Sequence, residues 1–155
     1  MRRSVIFAAV FFHLLLLSTA ARADFDRSPD KPKSPEYEAA RKAVEAKDYK
    51  TALGHLTQAA QKLPNDADVH NLMGYSHRKL GNFDKALEEY RTALKLDPGH
   101  RGAHEYLGEL YLETDRLADA EKELGTLKKS CPWFGKCEEY DDLKGEIEKY
   151  RAKKK

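Results

Sequence analysis

Cys131 and Cys137 are the only cysteines in this chain, and they sit six residues apart in CPWFGKC. Oxidised together they close a short ring, which loop-closure reasoning values at about 2 kcal/mol. The spacing is not Cys-x-x-Cys, and no alternation of strands and helices accompanies it, so redox exchange is the weaker reading. Two thiolates alone make an incomplete shell for a soft metal. Besides His13, the histidines are His55, His70, His77, His100 and His104. His100 and His104 have the four-residue spacing of a helical metal pair. However, His100 directly follows Pro98-Gly99, before the expected helix, and no His-Glu-x-x-His frame occurs. No metal and no cofactor is expected. The chain has no phosphate loop, no Gly-x-Ser-x-Gly and no motif pairing a nucleophile with a base. Glu88-Glu89 and the acidic run from Glu138 to Asp142 read as solvated helix faces. The residues thus point away from an enzyme and towards a binding protein.

What positions these residues is a repeat. Pro64, Pro98 and Pro132 lie 34 residues apart, and other columns keep the step: Tyr49, Phe83, Leu117; Ala52, Ala86, Ala120; Ala40, Gly74, Gly108. A period of this length belongs to stacked helix pairs, in which no unit buries its apolar face alone. In the second unit, Leu72, Met73, Tyr75, Ser76 and Leu80 follow a period near 3.6. After Gly81-Asn82, Phe83, Ala86, Leu87, Tyr90, Ala93 and Leu94 form a second stripe. Gly81 suits the left-handed end of a helix, and Asp97-Pro98-Gly99 stops the next. Glycine inside a helix costs about 1 kcal/mol relative to alanine, so Gly74 and Gly108 predict close approach of a partner helix.

On these columns the chain resembles the tetratricopeptide repeat family. MGYSHRKLGNFDKALEEYRTALKLDP in the second unit carries the resemblance best, and LGELYLETDRLADAEKELGTLKKSCP in the third keeps the Leu-Gly pair, Tyr111, Ala120 and Pro132. Lys47 and Asp115 stand where the family favours glycine. The resemblance implies an all-α fold: a right-handed α-solenoid of three units, 33–66, 67–100 and 101–134. A helix with apolar Tyr140, Leu143, Ile147 and Tyr150 follows within 135–155, ending in a basic tail. Asp141-Asp142 replace the Leu-Gly pair there, so it reads as a cap with a polar outer face and not as a fourth unit.

In this family the first helix of each unit lines a concave groove. Register then places Tyr37, Arg41 and Val44 there from unit one, and Asp68, Asn71, Tyr75, Arg78 and Lys79 from unit two. Glu105, Glu109 and Leu112 come from unit three. Such a set suits an extended or helical peptide of a partner protein. Some family members grip acidic tails of cytosolic chaperones through lysine, asparagine and arginine at fixed columns. Here those columns hold Tyr37, Arg41, Leu72, Gly102 and Tyr106, so that clamp is absent. Two other readings stay open: self-association by end-to-end stacking, and metal or redox handling through the histidines and the cysteine pair.

The ends add an address. Met1-Arg2-Arg3, the apolar run Val5–Leu17 and Ala21-Arg22-Ala23 have the order of a secretory signal peptide over 1–23. The apolar run is shorter than the ~20 residues of a membrane span. The expectation is an exported protein, periplasmic if bacterial, with no stable span after cleavage. Residues 24–35, DFDRSPDKPKSP, read as a disordered linker. Loss of Arg2, Arg3 and Arg22 takes the formal charge from +2 to −1. No basic excess then remains for nucleic acid. Trp133 and Phe134, beside the cysteines, read as core closure, with an exposed binding tip as the alternative.

Overall fold

The computed structural model describes residues 34–131 and 136–154. The signal segment 1–23, linker residues 24–33, Trp133 and Phe134 lie outside the described residues. Among those described there are seven helices and no strand: α1 (Pro35–Glu45), α2 (Tyr49–Lys62), α3 (Ala67–Lys79), α4 (Phe83–Leu96), α5 (Arg101–Glu113), α6 (Leu117–Ser130) and α7 (Glu138–Lys153). The architecture is the all-α solenoid of helix pairs that the period predicts.

The starts of α1, α2, α3 and α5 each have a side-chain cap. The Ser34 hydroxyl accepts the Tyr37 amide at 3.1 Å, and Pro35 occupies the first helical position, where its missing N–H is harmless. The last two residues of the expected linker thus open α1. Asp48 accepts the Thr51 amide, and Asp66 accepts those of Asp68 and Val69. His100 caps α5, its Nδ1 accepting the Ala103 amide at 3.0 Å. It stands before the helix, as its place after Pro98-Gly99 indicates. Within each unit the chain turns through a left-handed residue: Lys47 (φ 60°), Gly81 (φ 75°) and Asp115 (φ 58°). Glycine takes this geometry freely; the other two are strained.

The small columns do what small residues allow. Ala52, Ala86 and Ala120 are fully buried where paired helices meet. A Cβ on Gly74 would lie 2.7 Å from the Tyr90 ring of α4. A Cβ on Gly108 would lie 2.5 Å from Leu143 Cδ2 of α7. The same column therefore admits two different partners, a ring from its own unit and the cap. One apolar cluster joins Tyr37, Leu56, Val69 and Leu72 around the first unit. A second joins Tyr90, Leu107, Leu127, Leu143 and Ile147 around the third. The cap contributes Leu143 and Ile147 to it, each worth roughly 1.5–3 kcal/mol of burial. Asp115 accepts a hydrogen bond from the Tyr150 hydroxyl at 2.8 Å and pairs with Lys154 at 2.9 Å, tying the cap to the last turn. No helix among the described residues is long and apolar enough to cross a membrane.

Candidate peptide-binding groove

The first helices stand closer together than the second. α1 touches α3 and α3 touches α5, whereas α2 does not reach α4, nor α4 reach α6. A stack with that inequality curves, and α1, α3 and α5 lie on its inner side. α7 packs on both helices of the third unit, as α3 and α5 do on the units before them, so it extends the inner row.

The middle of this row is an aromatic and cationic cluster. The Tyr75 and Tyr106 rings lie 5.1 Å apart, with Tyr49 6.0 Å from Tyr75 on the other side. The Arg78 guanidinium sits 5.5 Å from the Tyr75 ring and 5.7 Å from that of Tyr106, and the Lys79 ammonium 5.1 Å from Tyr75. These are cation–π distances. Arg78 also hydrogen-bonds Glu113 at 2.7 Å and forms an ion pair with Glu109 at 2.5 Å, the latter without hydrogen-bond geometry. Burial, then the nearby Tyr49 phenol, push the Tyr75 hydroxyl up to about 12, so it stays a neutral donor. Burial also raises Glu109, against the pull of Arg78.

The C-terminal end is acidic. Burial, followed by repulsion from Glu109, Asp142 and Glu139, lifts Glu105 to about 9. Asn71 is buried, and its Oδ1 has no hydrogen-bond partner.

The inner row is not populated quite as register suggests. Tyr37 is 2% exposed and belongs to the first-unit core, and Val44 packs beside it. Leu112 belongs to the third-unit core. All three are corrected from groove contacts to packing residues, because neighbouring helices cover them. Arg78 is 3% exposed, a stitch between units more than an open contact. Arg41, half-buried, pairs with Glu38 at 3.7 Å. Asp68 pairs with His100 at 2.7 Å. Tyr75, half-buried, and Lys79, exposed, keep surface for a partner. Tyr106, which stands at a clamp column in register, forms the far wall of the cluster.

Two polar pairs were not anticipated. His70 Nδ1 meets Glu89 at 2.7 Å and His104 Nδ1 meets Glu123 at 2.6 Å. Each pair joins the two helices of one unit, and both partners keep the 34-residue step, a signal that was present in the sequence. Among the described residues no group of three or more potential metal ligands converges. Cys131 and Cys137 have Cα atoms 5.7 Å apart, within the span of a disulfide.

Comparison with known proteins agrees with this geometry. Two tetratricopeptide repeat models match residues 43–89 and 71–127, together more than half of the chain. The chloroplastic tetratricopeptide repeat domain-containing protein PYG7 of Arabidopsis thaliana is 33% identical over 95 residues, covering 59% of this chain and 32% of that protein. Small glutamine-rich tetratricopeptide repeat-containing protein 2 of Saccharomyces cerevisiae is 30% identical over 67 residues, covering 43% of this chain and 19% of that protein. The chain thus spans a third or less of these relatives. Among solved structures, the Yersinia enterocolitica type III secretion translocator chaperone SycD in complex with a peptide of the translocator YopD superposes with a TM-score of 0.67. The identity is 18%, over 77% of this chain and 92% of that one. The TPR2B domain of yeast Sti1, in its pHsp70 complex, gives 0.69 at 15% identity over 76% and 94%. Period, helix pairing and family models agree: the chain belongs to the tetratricopeptide repeat family.

Proposed function

We propose that this protein is a non-enzymatic adaptor that holds a segment of a partner protein along the inner face of its helix stack. One observation carries the reading. Tyr75, Tyr106 and Lys79 form an assembled cluster on the inner row, held by Arg78 from below, with Tyr75 and Lys79 still open to solvent. Rigid aromatics beside cations are the residue types that anchor partners. The SycD complex with a YopD peptide and the Sti1 domain complex with pHsp70 are partner-bound examples of the same fold, which supports the reading. Export and a Cys131–Cys137 bond belong to it as well. They rest on the Arg2-Arg3, Val5–Leu17 and Ala21-x-Ala23 order and on the cysteine spacing.

The test is capture of a partner by the protein and by a Tyr75→Ala, Lys79→Ala variant. Tyr75 packs at the edge of the first-unit core, so the helical spectrum and thermal melting of the variant are checked before capture is read. Lys79→Ala alone, a surface change of within ~0.5 kcal/mol, serves as the second variant. The double variant should hold the partner at least about tenfold less tightly, the loss of one anchor worth ~1.4 kcal/mol. Unchanged capture would contradict the groove.

A further inference from the structure

We propose that the C-terminal end of the inner row is a built site for one cationic side chain, lysine or arginine, of the bound segment, with Glu105 and Asn71 as its acceptors. The proposal rests on the groove reading and names the chemistry that the groove recognises. Asn71, Glu105 and Glu139 occupy one register column, 34 residues apart, on α3, α5 and α7. They are the inner-row helices, so the column runs along the path of a bound segment.

Both acceptors belong to buried residues, and the Asn71 oxygen is unmet. Asn71 is 6% exposed, and its Oδ1 finds no donor. Glu105 is 8% exposed, and its carboxyl makes no hydrogen bond or ion pair among the described residues. Buried polar groups normally have partners, so the unmet Asn71 Oδ1, on the same column as the buried Glu105, marks a place where a donor is missing. The surrounding charge selects the donor. Glu109 faces Glu105 from its own helix, and Glu139 and Asp142 face it from α7. Of the nearby cations, Arg78 on α3 is committed to Glu109 and Glu113, and Arg101 lies 3.6 Å from Glu139. The local balance is negative. An anion is repelled there, and an apolar side chain leaves both acceptors unmet. An ammonium brings three donors and a guanidinium five, each with a positive charge.

Glu105 titrates at about 9 in the free protein, so it is neutral at pH 7. A cation seated against it favours the carboxylate, and the proton passes to solvent. Affinity for the cation therefore rises with pH. Arg78, Glu109, Glu139, Asp142 and Arg101 set the pH range of that rise.

The experiment uses seven-residue peptides of glycine, serine and alanine, capped at both ends, with arginine, lysine or citrulline at the centre. Citrulline keeps the shape of arginine without its charge. Binding is followed by nuclear magnetic resonance of the full chain, at the Asn71 side-chain amide and the backbone amides of 102–109. The arginine or lysine peptide should shift these signals, and citrulline should bind at least about tenfold more weakly. Affinity should rise between about pH 6.5 and 8.5. In Glu105→Gln, whose amide spectrum should otherwise match the parent, the pH dependence should vanish and the preference for arginine over citrulline should fall, leaving only the part due to Glu109, Glu139 and Asp142. Equal binding of arginine and citrulline peptides in the groove would overturn the cation site and leave the groove reading standing. No shift at Asn71 with either cationic peptide at millimolar concentration would also overturn it. The separate partner-capture test decides the groove reading itself.

Discussion

Arg78 on α3 reaches Glu109 on α5 at 2.5 Å, and this one ion pair joins the second unit to the third across the floor of the groove. Glu113, one turn further along α5, takes the other arm of the guanidinium at 2.7 Å. Arg78 is thus both the seat of the Tyr75–Tyr106 cluster and a fastening of the stack. Removing it leaves the mostly buried Glu109 without its cation. Arg78→Ala should destabilise the protein by about 2–4 kcal/mol, below the ~3–5 kcal/mol of a fully buried pair because the Glu109 and Glu113 side chains keep 20% and 40% of their surface exposed. Urea unfolding measures this. A loss under about 0.5 kcal/mol, the level of an ordinary surface change, would show that the pair does not hold the units together.

Lys47 takes a left-handed conformation at the turn between α1 and α2, where Gly81 stands in the second unit. Lys47→Gly should relieve that strain and stabilise the protein by up to ~1 kcal/mol. Asp115→Gly relieves the same backbone strain but discards the bonds to Tyr150 and Lys154 that hold the cap. Its stability should therefore fall short of the gain at Lys47. Thermal melting of the two variants checks the contrast, and equal gains would mean that the Asp115 contacts contribute nothing.

His104 stands between two acceptors, the Glu123 carboxylate at 2.6 Å and the Pro98 carbonyl at 3.0 Å. Imidazolium satisfies both, since both ring nitrogens then donate. The Glu123 hydrogen bond raises the His104 pKa above its ordinary value, against burial. A raised value means that the pair's stabilisation is fully present below the unfolded value, about 6.5, and is lost as pH rises through the folded one. Glu123→Gln should therefore lower stability by ~1–2 kcal/mol at pH 5.5, and by clearly less at pH 9. Denaturant curves at the two pH values test the sign. An equal loss at both would contradict a charged pair.

How much of this was legible in the sequence depends on whether a residue's role is set by its own unit. Pro64 and Pro98, the alanine column and Gly81 act within a unit or between adjacent helices, and the 34-residue step exposes them directly. Gly74 and Gly108 were readable as close approaches, yet one receives Tyr90 and the other Leu143. The difference arises because α7 arrives beside the third unit, which register does not encode. Tyr37 and Leu112 sit on groove-lining columns but are covered by neighbouring helices. A column states which way a residue points, not what lies over it. The His70–Glu89 and His104–Glu123 pairs keep the period on both sides, but a column read along one helix does not state which residue of the opposite helix faces it. Glu105 is legible as a groove residue, but its burial is not, because that depends on α7 closing against it.

A photo-crosslinking amino acid tests the central claim most directly. Placed at Tyr75 on the inner face, it should form a covalent adduct with the captured partner. Placed at Arg91, on the exposed surface of α4 lined also by Asp84, Leu87 and Lys95, it should form none. An adduct from position 91 with none from position 75 would contradict binding along the inner face.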